Sequence, residues 1–480
     1  MFDIRPVTSP YPGLRPFEPH ESEIFFGREG HTNRLLEILQ REHFLAVIGP
    51  SGCGKSSLVR AGLLPGLAAG SLGTGSHWRV ALLRPGGQPL LALEQALLDP
   101  HALGPELLGD AARSVAVGEV SADAALLAVQ LRQGIAGFKR LLDNIAARRE
   151  AGSSPLNLLI LVDQFEELFT YRDDDSDPDE AEDLVKLILA ARTEPQLRVY
   201  STITMRTDFL GHCVAFRDLP EAINHAQYLT PRLTEDEMRR AICGPARVFD
   251  GDVDEQFAKE IIGQVGHDSD QLPLLQHALA CWWRLARRAD RRAPHIARPL
   301  TEVGGDVGDA LDRHAKTLFD TKLAAHQAAA EALFRTITEG REGGQPVRRP
   351  QRLAEICKAT GLTEGELAAV IRRLAARNVC FLHYGHELNA ASFIDLTHEA
   401  LMRQWGQLKL WVEDEFRRGQ GYRRWSARAA DHAAMAVATV GLTIPNFVVA
   451  PLLQIAFGLV LGLLPVGGWN GGAVASAGKF

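Results

Sequence analysis

The 480-residue chain has few cysteines, and no two of its six cysteines form a Cys-x-x-Cys pair. Their spacing therefore predicts neither a structural zinc site nor a disulfide framework, and it is typical of a protein in a reducing compartment. Excess positive charge is also lacking. The net charge of −7 argues against a protein that coats nucleic acid, although a local basic surface is compatible with it.

Two further features are missing. The N-terminal segment MFDIRPVTSPYPGLRPF lacks the apolar core of a signal peptide, and no internal repeat indicates a propeller or a solenoid. Hydrophobic residues are nevertheless plentiful, at 46% of the chain, and the length suits roughly three domains. We therefore predict a multidomain globular protein of the cytoplasm.

Apolar runs and helical patterns alternate in the first half of the chain. Helices are predicted over 27–42 and within 88–150, and the acidic run 173–183 is interpreted as a solvated loop that caps the next helix. Buried strands are predicted at 44–49, 78–85, 156–165 and 198–206. This alternation indicates an α/β fold with a doubly wound parallel sheet.

A phosphate-binding motif lies between the first predicted strand and a predicted helix. The segment GPSGCGKS fits the P-loop pattern G-x-x-x-x-G-K-[ST], in which backbone N–H groups surround the phosphates. We expect Lys55 to reach the β- and γ-phosphates and Ser56 to bind Mg²⁺. The predicted nucleotide-binding residues here are Gly49, Pro50, Ser51, Gly52, Cys53, Gly54, Lys55, Ser56 and Ser57.

Acidic and basic residues follow the later strands. Asp163 ends an apolar strand, where a carboxylate can hold Mg²⁺, and Glu166 or Glu167 is a candidate base for the attacking water. An acidic cap at a helix N-terminus is the structural alternative for the two glutamates. Arg206 ends the next strand and is a candidate γ-phosphate contact, with a surface ion pair to Asp208 as the alternative.

Several segments in this order resemble the novel STAND class of P-loop NTPases, which are signalling switches related to AAA+ ATPases. The likeness covers about residues 11–420. The segments are YPGLRPFEPHESEIFFGRE, GPSGCGKSSLVRAGLLPGL, LLILVDQFEELF, ITMRTDFLGHC, LTEDEMRRAICGPA, LPLLQHALACWW and LTHEALMRQWGQLKLWVEDE.

The resemblance implies an ATP- and ADP-binding, Mg²⁺-dependent and slow ATPase that is closed with ADP. With ATP it would open and assemble into a homo-oligomer that serves an unknown protein effector. It further implies that Gly27 and Arg28 lie by the adenine or ribose, that Gly244 and Pro245 pack on the base, and that His398 contacts the β-phosphate of ADP. Without the resemblance, His398 is an ordinary structural histidine.

Four segments are predicted from these observations. They are a P-loop domain at 1–232, a helical lid at 233–318, a winged-helix domain at 319–420 and an apolar tail at 421–480. Residues 433–465 are long and apolar enough for a membrane anchor, and the tail resembles a segment of oligopeptide transporter permeases. A membrane anchor, a pair of core helices, and a fused or truncated reading frame are three competing explanations of the tail.

Two other functions compete with the signalling ATPase. Arg348, Arg349, Arg352, Arg372 and Arg373 give the predicted winged helix some basic character, which would suit a DNA-binding regulator. Nucleic acid is nevertheless an unlikely partner, because glutamates interrupt that face and no stacking aromatic residues accompany it. A membrane component linked to peptide uptake is the other alternative, and it depends on the tail alone.

Overall fold

The structure is a computed structural model, which describes residues 6–73, 75, 77–108, 122–149, 155–170, 178–265, 271–297, 306–340, 346–384 and 387–418. Residues up to Val412 form one compact unit, and residues from Glu413 form a second. The described part of the second unit, 413–418, is helical. The apolar segment 433–465 lies outside the described ranges, and no helix within them is long and apolar enough to cross a membrane.

A five-stranded parallel sheet organises the first part of the chain and confirms the predicted α/β fold. Its strands are β1 (Phe44–Gly49), β2 (Trp78–Leu83), β3 (Asn157–Val162), β4 (Val199–Arg206) and β5 (Gln227–Leu229), in the order β2-β3-β4-β1-β5. Every residue of β1 and β3 is buried, so both faces of these strands are covered. This burial explains why their sequences are continuous apolar runs.

Helices connect the strands. They are α1 (Glu29–Glu42), α2 (Lys55–Ser57), α3 (Leu64–Ala68), α4 (Pro89–Leu98), α5 (Gly104–Leu108), α6 (Ala122–Arg132), α7 (Gly134–Arg148), α8 (Glu167–Thr170), α9 (Pro178–Thr193) and α10 (Leu219–Ala226). A π-helical stretch, Leu58–Leu63, joins α2 to α3. The prediction of a loop over the whole acidic run 173–183 was wrong, because α9 already begins at Pro178 and its first turn carries Asp179 and Glu180.

The next part of the chain is helical. It comprises α11 (Glu235–Val248), α12 (Glu255–Val265), α13 (Leu272–Ala289) and α14 (Val307–Thr321), with two short parallel strands, β6 (Asp252–Val253) and β7 (His295–Ile296). Helix α11 begins at a capping box, in which the Thr234 side chain accepts from the Glu237 backbone N–H and the Glu237 side chain accepts from the Thr234 N–H.

The last part mixes short helices and strands. It contains α15 (Gln327–Thr336), β8 (Thr338–Glu339), β9 (Val347–Arg348), β10 (Gln351–Arg352), α16 (Leu353–Thr360), α17 (Glu364–Leu374), β11 (Leu382–His383), β12 (Phe393–Leu396) and α18 (Ala400–Gln404). Strand β12 pairs antiparallel with β10 and β11, so β11 and β12 form a hairpin before the LTHEA segment.

Two large apolar cores hold the first compact unit together. One surrounds the parallel sheet and ends at Ala226, and the other runs from Met238 to Val412. The N-terminal segment joins the second core through Tyr11 and Leu14, and the Tyr11 hydroxyl donates to the Ile242 carbonyl at 2.6 Å. Residues 11–14 therefore tie the start of the chain to α11. The domain boundaries stay predictions.

Candidate nucleotide-binding site

The P-loop is a closed turn between β1 and α2. Gly52 and Gly54 have φ angles of +74° and +92°, a conformation that glycine adopts without steric cost. A Cβ atom at Gly49 would lie 2.7 Å from the Cys53 sulfur, so the turn also needs a glycine where the strand ends. These three glycines let the loop fold back over the start of α2.

The Lys55 ammonium folds back along the loop. Its Nζ atom donates to the carbonyl oxygens of Gly49 at 2.9 Å and Pro50 at 2.7 Å. The Ser56 hydroxyl points elsewhere, and donates to Oδ1 of Asp163 at 2.7 Å. The structure thus brings together the two residues expected to hold Mg²⁺.

The Asp163 carboxylate lies at the centre of a buried hydrogen-bond network. The Thr204 hydroxyl donates to its Oδ1 atom at 2.7 Å, and the Arg60 guanidinium donates to its Oδ2 atom at 2.9 Å. Burial alone would raise the pKa of Asp163, but Arg60, Arg84 and the two hydroxyl donors lower that pKa to about 2. The carboxylate is therefore ionised at neutral pH, and with the Ser56 hydroxyl it forms a pair of hard oxygen donors that fits Mg²⁺.

The two neighbouring glutamates occupy different surroundings. Glu166 lines the cavity beside the P-loop, and its carboxylate accepts from the Arg206 backbone N–H at 3.3 Å. Burial raises the pKa of Glu166, with the Lys55 charge acting in the opposite direction. Glu167 instead accepts from the Gly86 backbone N–H at 3.1 Å. Burial raises the pKa of Glu167 to about 7, against the Arg84 charge and that hydrogen bond.

Arg206 lies beside the P-loop, because it is the register partner of Gly49 across β4 and β1. Its guanidinium donates to Asp208 at 2.6 Å, as the surface-pair alternative expects, and also to Glu399 at 2.8 Å. Asp208 is exposed, whereas Glu399 is 8% exposed and also accepts from Arg403 at 3.2 Å. The buried partner comes from the segment that carries His398.

His398 faces the same cavity, whose volume is about 990 Å³. Its Nδ1 atom accepts from the Ala400 backbone N–H at 3.1 Å. Burial, followed by the charges of Arg348, Arg403, Lys55 and Arg206, lowers the pKa of His398 to about 3. The imidazole is therefore neutral at pH 7, with its proton on Nε2 and available for donation.

The residues expected to contact the adenine base or the ribose lie near α11. Arg28 is buried, and donates to the carbonyl oxygens of Pro231 at 2.8 Å and Cys53 at 3.0 Å. Gly244 faces the ring of Phe26, and a Cβ atom there would lie 2.7 Å from that ring. Among the described residues, Phe26 and Arg28 line the cavity, whereas Gly27, Gly244 and Pro245 do not.

Sequence reasoning missed several residues of this site. Thr204 and Arg60 lie inside ordinary strand and helix patterns, and their contacts with Asp163 span 41 and 103 residues of sequence. Glu399 was overlooked beside His398. Pro273, at the start of α13, also lines the cavity, and its position in the LPLLQHAL segment is the only signal that could have indicated it.

A parallel sheet in which one strand runs into a glycine-rich turn and a Lys-Ser helix start, with a carboxylate after a nearby strand, defines a P-loop NTPase. Within that class, the chain belongs to the Novel STAND NTPase 1 family, whose model matches residues 10–436. This match confirms the resemblance seen in the sequence segments. The protein is therefore a member of a nucleotide-binding family.

Other similarities are shorter or weaker. The Oligopeptide transport system permease protein OppB of Escherichia coli is 54% identical over 44 residues, which are 9% of this chain and 14% of the permease. The corresponding protein of Salmonella typhimurium matches to the same extent. The chain thus spans only a small fraction of the curated relatives that it matches.

Two solved structures show a weak similarity to this chain. One is the Walker-type ATPase PABY2304 of Pyrococcus abyssi, with a TM-score of 0.38 and 12% identity over 81% of this chain and 98% of that one. The other is the ORC1 protein of Aeropyrum pernix in complex with DNA, with a TM-score of 0.40 and 16% identity over 85% and 96%. A likeness with such low TM-scores and identities supports no conclusion about function.

Gly27 offers a test of the packing between the N-terminal segment and α11. Its φ angle is +86°, and a Cβ atom would lie 2.4 Å from the Glu237 carbonyl oxygen. We expect Gly27→Ala to lower the free energy of unfolding by about 1–3 kcal/mol, since the strained backbone and the clash act together. Gly30→Ala is the matched control, because no atom lies within 4 Å of its Cβ position. Equal losses in denaturant unfolding would contradict the packing.

Proposed function

We propose that this protein is an ATP-binding signalling ATPase that works as a nucleotide-dependent conformational switch. One observation carries the proposal. The P-loop and Glu166 share a single cavity with His398 and Glu399, which come from the far end of the compact unit. A nucleotide in this cavity would contact both the P-loop and the segment that carries His398 and Glu399. The number of phosphates on the nucleotide can therefore change how strongly these two parts of the chain interact.

The phosphates would bind where the P-loop N–H groups and the start of α2 converge. Ser56 and Asp163 would hold Mg²⁺, and when bound this ion neutralises phosphate charge. Lys55 would exchange the loop carbonyls for the β- and γ-phosphate oxygens, since a charged acceptor is the stronger partner. On the adenine side, Arg28 and Phe26 would flank the base or ribose, with Gly27, Gly244 and Pro245 behind them.

Glu166 is the better candidate for the base that orients the attacking water. It faces the cavity near Lys55, and its raised pKa favours proton acceptance. Glu167 contacts the Gly86 backbone and is not among the cavity-lining residues. We assign Glu167 the structural role of holding the turn that follows β2.

His398 would clamp ADP. Its neutral ring has a donor at Nε2, and a phosphate oxygen is an acceptor that this donor suits. Such a contact would connect ADP to the segment 397–399 and stabilise the closed arrangement. The bound phosphate would also raise the pKa of the ring, because a nearby negative charge favours the protonated form.

Arg206 would distinguish ATP from ADP. In this structure, the buried Glu399 carboxylate accepts a hydrogen bond from the Arg206 guanidinium. A γ-phosphate beside β4 would attract the same guanidinium more strongly, because it carries more charge than one carboxylate. ATP would thereby weaken the Arg206–Glu399 contact and favour an open form. A ligand shifts such an equilibrium only by its difference in affinity for the two states.

The β10-β12-β11 sheet with α15, α16 and α17 fits the proposed winged helix. It gives the DNA-binding alternative little support, because Arg348 donates to Asp395 at 2.7 Å and Arg352 lies over the Phe393 ring at 5.2 Å. Steeply salt-dependent DNA binding would favour that alternative.

The proposed switch assembles into a homo-oligomer with ATP, acts on a protein effector and works in the cytoplasm. All six cysteines are free, which agrees with a cytoplasmic location.

The first test removes the phosphate-binding lysine. We expect Lys55→Ala to weaken ATP binding by roughly a hundredfold or more, since two charge-assisted hydrogen bonds are lost. Titration calorimetry with Mg²⁺-ATP measures the change, and the exposed residue Lys139, mutated to Ala, is the control. Wild-type affinity in Lys55→Ala would refute the site.

We also expect the wild-type protein to retain bound ADP through purification.

The second test separates the two glutamates. We expect Glu166→Gln to lower ATP turnover by about a hundredfold or more while ATP affinity changes little, because a general base acts on the chemical step. Glu167→Gln should leave turnover nearly unchanged, since the glutamine keeps the shape of a group whose pKa is about 7. Steady-state phosphate release measures both. The reverse pattern would assign the base to Glu167.

The third test addresses the Arg206–Glu399 contact. We expect Glu399→Gln to raise the ATP affinity relative to the ADP affinity by roughly tenfold, since a buried ion pair no longer competes with the γ-phosphate. Asp208→Asn is the matched control, because it changes the exposed carboxylate on the same arginine. Calorimetry with each nucleotide gives the ratio. An equal change in both variants would contradict a selective role of Glu399.

A further inference from the structure

Three side-chain donor atoms without a role in the proposed nucleotide mechanism meet where α13 packs against α14, and one of them belongs to His277, which also lines the nucleotide cavity. His277 and Cys281 lie one turn apart on α13, and His314 projects from α14. His277 Nε2 lies 3.1 Å from His314 Nδ1 and 3.6 Å from Cys281 Sγ. All three donor atoms lie within 4.8 Å of one another, and no other such group of three occurs among the described residues.

The two separations measured from His277 Nε2 agree with tetrahedral zinc geometry. Zinc binds histidine nitrogen at about 2.0–2.1 Å and cysteine sulfur at about 2.3 Å, and a tetrahedral angle then separates two nitrogens by about 3.3 Å and a nitrogen from a sulfur by about 3.6 Å. A histidine and a cysteine four residues apart present their donors on the same side of a helix. A third donor from a neighbouring helix is what a three-ligand site requires.

The surroundings favour metal binding over a chance contact. His277 and Cys281 are 3% and 4% exposed, and the Phe381 ring packs against both imidazoles. This packing fixes both rings with their donor nitrogens close to each other and to the Cys281 sulfur.

Arg284 completes the cluster from one helical turn further along α13. Its guanidinium donates to the Cys281 sulfur at 3.0 Å and to the Asn378 carbonyl oxygen at 3.1 Å. Burial raises the pKa of the Cys281 thiol, and the charge and hydrogen bond of Arg284 act in the opposite direction, toward the thiolate that binds zinc. Arg284 would thus act as an outer hydrogen-bond donor that stabilises and orients the ligand.

We propose that His277, Cys281 and His314 bind one Zn²⁺ ion, with a water molecule in the fourth position. Binding forms two Zn–N bonds and one Zn–S bond, and the Cys281 thiol releases its proton to solvent. The ion would fasten α13 to α14. Because His277 itself lines the nucleotide cavity, as do Leu272 and Pro273 at the start of α13, zinc would also rigidify one wall of that cavity.

Cobalt provides the direct test, because Co²⁺ adopts the same coordination and absorbs visible light. The full-length protein would be stripped with a chelator and titrated with Co²⁺ and then with Zn²⁺. We expect one Co²⁺ per chain, with strong tetrahedral d–d bands and a sulfur-to-cobalt charge-transfer band that Zn²⁺ removes. Absence of this spectrum from the wild-type protein would overturn the proposal and leave the three residues as a hydrogen-bonded cluster.

Substitutions at the proposed ligands test where the metal ion binds. Cys281→Ser should abolish the charge-transfer band, and His314→Ala should weaken Zn²⁺ binding by at least about a hundredfold, since one of three protein ligands is lost. Cys357→Ser is the matched control, because that half-buried cysteine on α16 lies outside the cluster and should keep the band. A band that persists in Cys281→Ser, or is lost in Cys357→Ser, would refute the assignment. Lys55→Ala should bind zinc normally, so failure of the nucleotide site would be distinguishable.

Discussion

The Asp163 carboxylate connects the elements on which the nucleotide site depends. It follows β3, yet its oxygens accept hydrogen bonds from Ser56 at the start of α2, from Thr204 on β4 and from Arg60 in the π-helical stretch. A buried carboxylate is costly without such donors. The same bonds that stabilise its charge therefore position the P-loop relative to the sheet.

Charge balance governs the rest of the cavity. Lys55, Arg60, Arg206 and Arg348 gather at the carboxyl edge of the sheet, where a polyphosphate would be attracted. In this structure they are held by protein oxygens, including those of Gly49, Asp163, Glu399 and Asp395. A nucleotide that replaces some of these partners must rearrange the contacts between the sheet and the C-terminal segment. This exchange of partners is the physical basis of the proposed switch.

The helices α13 and α14 supply a different kind of constraint. Helix α13 lines the nucleotide cavity through Pro273, His277 and Arg284, and its His277 and Cys281 form a cluster with His314 of α14. The Arg284 contact with the Asn378 carbonyl joins the same helix to the segment between α17 and β11. Helix α13 thus contacts both the cavity and the C-terminal segment, and its rigidity would affect how a change at one reaches the other.

The local pattern of the sequence determined the parallel strands, the P-loop and the presence of a carboxylate after β3, because these features are written in consecutive residues with a regular period. It left Glu166 and Glu167 equivalent, since only the turn after β3 decides that the first faces the cavity and the second the Gly86 backbone. It indicated the nearby Asp208 as an ion-pair partner of Arg206, whereas the buried partner Glu399 lies 193 residues away. It also indicated no zinc site, because His277 and His314 belong to different helices. Contacts between residues so distant in sequence arise from the packing of whole elements, which a local pattern does not encode.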